Sequence, residues 1–273
     1  MTTPITREKI AEWAKQIARL AGLLAPQIRT KVTDLKDLES VFFYAKLIRH
    51  SMIMNDVSTL VKSNSDQKLA PVFILLRCML EDFITIFYLK VNSYRSELIT
   101  QYFAEDFANR FKWMKTTARI NDKFFNGSYD GLPTNEYVEN KKTTFIQNKE
   151  HNHLFTNRSE FKFKTFPSTT EIINELPVND STVANAVSLI DWIHYSEYVH
   201  HSMLSARSDI DQKVREIEIK QLKGVMFYGY KLVEFTRSRL EERQFDVKLD
   251  FDEKLVRELT ENTIDVTKLR KSK

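Results

Sequence analysis

The chain is poor in the residues that break helices. Its 273 residues hold only five glycines and six prolines, where average usage would supply about 30. Dinucleotide-binding folds, phosphate loops and densely turned β-sandwiches need glycine for positive φ and close backbone approach, so those architectures are disfavoured. Cysteine is scarcer still. The single Cys78 excludes an internal disulfide framework and any cysteine-cluster zinc or iron–sulfur centre, and in its apolar run it reads as a packed thiol. No charge of one sign dominates: 41 basic residues face 37 acidic ones, for a net charge of +4, which alone does not imply a nucleic-acid partner. The first twenty or so residues interrupt their apolar positions with charge and show no signal-peptide core. Ala70 to Leu89 is long enough to span a bilayer, yet it carries Arg77, Glu81 and Asp82 near its middle, which a lipid-facing helix tolerates poorly. No membrane partner is expected, and the expected location is cytoplasmic.

What the sequence does contain is helical period. Thr6 is placed to cap a first helix in which Ile10, Trp13, Ile17, Leu20, Leu24 and Ile28 recur on one face. A second helix is expected from about Asp34 to Lys62, with Leu38, Val41, Phe42, Ala45, Ile48, Met52 and Val57 as its apolar side. A third, from about Gln67 to Val91, is apolar nearly all round, as the central helix of a bundle would be. Ser93 is expected to cap a fourth, running to about Asn121. Helical patterning resumes at Ser181 or Thr182, continues after a Ser208-x-x-Asp211 capping box to about Arg243, and ends in an amphipathic stretch near 252–262. The expectation is an all-α, multi-helix bundle of about seven to eight helices, one domain over 1–273, with a frayed basic tail at 263–273.

Between about 123 and 180 the pattern changes. Gly127, Gly131, Pro133, Pro167 and Pro177, five of the eleven breakers, fall here, and no period is sustained apart from the alternation Phe161-Lys-Phe-Lys-Thr-Phe166. An irregular insertion with one or two short helices, packed over the bundle as a flap, is expected.

Two core-like helices carry polar residues that break their own patterns. Arg77 and Glu81 are four apart in the third helix, so they can pair along it. Guanidinium has five donors to place, and Glu81 alone satisfies them poorly. Far downstream, Leu189, Ile193, Ser196, His200 and Met203 fall on one line, so Ser196 and His200 point with apolar neighbours. Tyr195, Tyr198 and His201 flank them. An Arg and a His near neutral pKa suit phosphodiester chemistry without metal: Arg77 clamps a phosphate, His200 moves a proton, Glu81 orients, and Ser196 or Tyr195 supports by hydrogen bonding. Tyr195, Tyr198, His201 and Arg110 are assigned to substrate contact. Arg110, Lys112, Lys115, Arg119 and Lys123 interleave with Phe111, Trp113 and Phe124, a mixture that suits single-stranded RNA, although a solvated helix face explains it too.

The run Leu-Leu-Arg77-Cys-Met-Leu-Glu81-Asp-Phe, followed by Tyr195-Ser196-Glu197-Tyr198-Val199-His200, resembles a widespread microbial all-helical family of unknown function that combines an Arg-x-x-x-Glu helix with a late Ser-x-x-x-His helix. The likeness spans about Leu35 to Leu240. It implies an all-helical fold and directs attention to Arg77, Glu81, Ser196 and His200, without supplying an activity. The chain is also similar to HEPN ribonucleases in drawing Arg and His from a helical bundle, but no His here has an Arg five to seven positions before it. Glu197-x-x-His200 has the spacing of a di-iron ligand pair, but its only counterpart, Glu150-x-x-His153, lies in the irregular segment, so neither metal nor cofactor is expected. Two functions remain in view: a metal-independent ribonuclease-like phosphodiesterase acting on RNA or a nucleotide in microbial stress or defence, and a non-catalytic ligand-sensing or protein-interaction module, either one able to form a homodimer.

Overall fold

The computed structural model describes residues 6–29, 37–63, 69–199 and 212–260. Their helices are α1 (Arg7–Arg29), α2 (Leu38–Lys62), α3 (Leu69–Val91), α4 (Ser96–Phe125), α5 (Asn135–Gln147), α6 (Thr169–Glu175), α7 (Asp180–Val199), α8 (Gln212–Glu242) and α9 (Glu253–Thr260). A 3-10 helix at Lys149–Leu154 and a two-stranded antiparallel ribbon, β1 (Phe155–Asn157) with β2 (Lys162–Phe163), complete them. The protein is all-α, with slightly more helices than the seven to eight expected. The Ser208–Asp211 capping box and the 263–273 tail lie outside the described residues. No described helix is long and apolar enough to cross a membrane. The chain forms two compact units, one from residues 1–92 and 169–273, the other from 93–168.

In the first unit α1 and α2 lie close because α1 presents small residues. Ala11, Ala14, Ala18, Ala21 and Ala25 are all buried. Ser58 Oγ donates to the Ala11 carbonyl at 2.8 Å and Ser51 Oγ to the Ala18 carbonyl at 3.0 Å. Both pairs are spaced by seven residues, so the two hydrogen bonds fix one register. A Cβ on Gly22 would stand 3.2 Å from Ser51 Oγ, which is why the smallest residue fits there. Pro26 sits inside α1 without ending it, since the helix runs on to Arg29. α3 packs against α2, α7 and α8 and is accordingly apolar on most of its circumference. Asp37 caps α2 by accepting from Ser40 N at 3.2 Å and also pairs with Arg243 at 2.8 Å, while Glu39 pairs with Arg239 at 2.6 Å. These clasps join the start of α2 to the end of α8, acidic groups at a helix N-terminus and basic groups at a C-terminus, as the helix dipoles favour. Burial opposes ionisation of Asp37, yet the hydrogen bonds from Ser40 and Arg243 hold its carboxyl below the ordinary value.

Two caps differ from expectation. Ser93 and Tyr94 both adopt left-handed φ, 54° and 51°, and α4 starts only at Ser96, without a side-chain cap. At α7 the cap is Asn179, not Ser181 or Thr182. Thr182 N donates to Asn179 Oδ1 at 3.0 Å while Asn179 N donates to Thr182 Oγ1 at 2.9 Å, a reciprocal capping box.

The second unit is more ordered than its breakers suggested. Fully buried Asn121 donates from Nδ2 to the carbonyls of Tyr129, Leu132 and Pro133 and accepts from Tyr129 N at 3.1 Å. It thereby staples the whole turn after α4, where Asn126 and Gly127 take left-handed φ of 51° and 75°. Thr134 Oγ1 then caps α5, accepting from Tyr137 N at 3.1 Å. Leu154, Phe155 and Phe163 form a small core with Ala104 of α4.

Candidate functional site

The α3–α7 interface brings three of the expected residues together. Arg77 Nε donates to Ser196 Oγ at 3.2 Å, and Nη1 donates to Glu81 Oε2 at 3.1 Å. Ser196 Oγ in turn donates to the Trp192 carbonyl at 2.7 Å, so its hydroxyl hydrogen is committed and its lone pair faces Arg77. The guanidinium carbon lies 5.5 Å from the centre of the Trp192 ring, within cation–π range. Two of the five guanidinium donors are thus engaged, and three have no partner among the described residues. Trp192 Nε1 is buried and likewise unpartnered among them. The side chain of Arg77 is 22% exposed and that of Glu81 is 41% exposed, so water reaches the cluster.

The other expected residues are placed differently. Tyr195 is completely buried and stacks on Phe73 with ring centres 5.1 Å apart. Arg110 belongs to the second unit, on α4, where it pairs with Asp106 at 2.9 Å. His200 and His201 lie outside the described residues, as does the side chain of Tyr198. The helical phase of α7 also departs from the sequence reading. Ile190 and Ile193 are exposed, while Asn185, Ser188, Asp191 and Tyr195 are buried. Ser196 therefore sits at the margin of a polar buried face, and the line it shares with Ile193 runs along the edge of the interface, not into the core.

That rotated face reveals groups the sequence did not single out. Asp191 is buried, and desolvation pushes its carboxyl up to about 7. Burial and then the neighbouring Asp191 raise Tyr228 of α8. On the opposite flank of α3, Asp82 is buried and accepts through Oδ1 from Lys46 Nζ, and from Arg49 Nη1 at 3.2 Å. Asp82 Oδ2 is buried and has no partner among the described residues. Lys46 is itself buried, an uncommon position for lysine that the paired carboxylate explains. One turn further along α2, His50 is fully buried, and neither ring nitrogen makes a well-formed hydrogen bond to the described residues. Desolvation lowers it to about 4, against the opposing pull of Asp82 and the Gly229 backbone, so the imidazole is neutral. The available signal was the series Phe43, Lys46, Leu47, His50, Met54 and Val57, which follows one helix face and is buried. Ile48 and Met52, expected in the core, are instead exposed.

α3 is thus bordered by two ionic clusters, a dry one toward α2 and a wetted one toward α7. The first has its Lys46 and Asp82 buried, with only Arg49 reaching solvent, and suits a structural role. The second offers an open guanidinium with spare donors, the feature that recognises a phosphate or carboxylate.

The chain belongs to a family of unknown function, DUF5677, whose model matches residues 42–218. That stretch includes Lys46, His50, Arg77, Glu81, Asp82, Asp191 and Ser196. No curated protein and no solved structure matches the chain.

Proposed function

We propose that the Arg77–Glu81–Ser196 cluster is a metal-independent phosphodiester site directed at RNA or a nucleotide. The observation that carries this is Arg77 itself: oriented from two sides by Glu81 and Ser196 at 3.1 and 3.2 Å, with three donors still to place and partial access to water. A guanidinium fixed in this way neutralises a phosphate and the added charge of a pentavalent transition state without reorganising. Trp192 Nε1 beside it is buried with no acceptor among the described residues and adds a further donor. His200, four residues after Ser196, is assigned the proton transfer, and a stress or defence role and a homodimer belong to the same proposal. In the test, wild type, Arg77→Ala and His200→Ala are compared for melting temperature, growth inhibition on expression and RNA integrity. Loss of activity at retained stability supports the site. Unchanged activity with a lowered melting temperature overturns it.

A second reading is favoured by one observation. Glu81 pairs with Arg77 and Ser196 holds its Nε, which is also what a structural clamp between α3 and α7 requires. On that reading the protein is a non-catalytic ligand-sensing or interaction module. A ligand that raises the melting temperature of wild type but not of Arg77→Ala, with RNA intact in both cases, supports it.

A further inference from the structure

The second unit gathers aromatic residues out of proportion to its length. Residues 93–168 hold 15 of the 32 aromatics in the chain, and among the described residues every exposed large aromatic (Trp113, Phe124, Phe125, Tyr129 and Tyr137) belongs to it. On one side a groove of about 440 Å³ opens between α4, α5 and the β1–β2 ribbon. Its apolar floor is Phe111, Phe161 and Phe163. Phe161 meets Phe111 edge to face at 4.8 Å, and it holds this position at φ 55°, a backbone state that bulky residues seldom adopt. The ribbon that carries it is tied to α5 by Arg158 Nε, which donates to the Ile146 carbonyl at 2.7 Å.

The walls are basic. Lys112, Lys115, Lys142, Lys162 and Lys164 line the groove, opposed by Glu105 and Glu139. Lys142 lies 3.6 Å from Glu139 and over the Phe161 ring, and Glu105 accepts from Phe166 N at 3.0 Å. The other four lysines have no acidic partner among the described residues. Four unneutralised ammonium groups around a half-buried aromatic floor are complementary to a chain of phosphates bearing planar bases. A duplex would present its phosphates but keep its base faces stacked and hidden.

We propose that this groove binds single-stranded nucleic acid, its phosphates on the lysines and a base against Phe161 and Phe111. It shares a ligand class with the Arg77 site but uses none of that site's residues. The test is fluorescence anisotropy with a labelled oligouridine RNA of about 12 nucleotides, a length within the usual footprint of such surfaces. Four neutralised phosphates predict a slope of about −3 for log affinity against log salt. Lys162→Glu with Lys164→Glu is expected to weaken binding at least ten-fold and to flatten that slope. Phe161→Leu, which keeps the apolar packing, is expected to weaken binding several-fold with the slope unchanged. The ten-fold loss from the double lysine change should persist in an Arg77→Ala background, which separates this proposal from the catalytic one. Absence of wild-type binding, an unaltered affinity in the double lysine variant at an unaltered melting temperature, or equal competition by an RNA duplex or inorganic polyphosphate would overturn it.

Discussion

Arg77 Nε and Ser196 Oγ meet at 3.2 Å although they stand 119 positions apart in the sequence. The hydrogen bond is a direct polar link between α3 and α7, and it positions a guanidinium that Glu81 alone would leave able to swing.

Arg77→Lys should behave almost as badly as Arg77→Ala in any phosphate-directed reaction, because an ammonium cannot keep both partners and present a fork. The expected loss for either is about a hundred-fold to a thousand-fold in rate. The stability loss should be small, about 1–2 kcal/mol, since the cluster is partly solvated. Rate and melting measurements on the two variants check this.

Ser196→Ala removes an acceptor without emptying the site. The expected outcome is a milder defect, read as weaker binding of a nucleotide ligand with folding cooperativity intact. Isothermal titration of wild type and variant makes the comparison.

The buried pair of Lys46 and Asp82 predicts strong non-additivity. Lys46→Met alone leaves a buried carboxylate with only Arg49 and should cost about 3–5 kcal/mol. Combining it with Asp82→Leu removes the orphaned charge and should restore most of that loss. Denaturant unfolding of the two singles and the double would show it, and simple addition of the single losses would refute it.

Asp191 predicts stability that falls as pH rises. Its carboxyl is raised to about 7, above the ordinary value near 4, so the native state binds the proton more tightly. Stability is fully present below about pH 4 and declines toward pH 7, by up to about 1.4 kcal/mol per pH unit. Asp191→Asn should abolish this decline, so its melting temperature relative to wild type should be higher at pH 8 than at pH 5.

His50 predicts the opposite slope in an overlapping window. Its imidazole is held down at about 4, so the unfolded chain takes up the proton first as pH falls below about 6.5. Stability is lost from there down to pH 4. His50→Gln should remove this acid sensitivity whatever it costs in packing, and melting curves of the variant at pH 7 and pH 5 should lie closer together than those of wild type.

Helix existence was legible in the sequence where one face was clearly apolar, as in α1, whose expected residues Ile10, Trp13, Ile17, Leu20, Leu24 and Ile28 are all buried. Helix phase was not legible in α2 and α7, because apolar residues surround both. With nothing to distinguish faces, Ile48 and Ile193 were assigned inward while Lys46, His50 and Asp191 hold the interior. The Arg77–Glu81 pair could be foreseen from its spacing. Its link to Ser196 needed the right helices side by side, and so did the Lys46–Asp82 pair, which joins α2 to α3. The ordering of 123–180 was hidden because one side chain, Asn121, satisfies three carbonyls that otherwise read as a loose turn.

The first unit is assembled from two stretches of chain with the whole of 93–168 made in between. During synthesis α1 and α2 can zip together as soon as both emerge, since their contacts are local. α3 cannot. At about 5–20 residues per second, Arg77 is synthesised some 6–24 s before Ser196, and the apolar flank of α3 waits through much of that interval without α7 and α8. The long separation that makes the Arg77–Ser196 contact informative also makes it late, and it marks α3 as the surface a nascent-chain chaperone would hold.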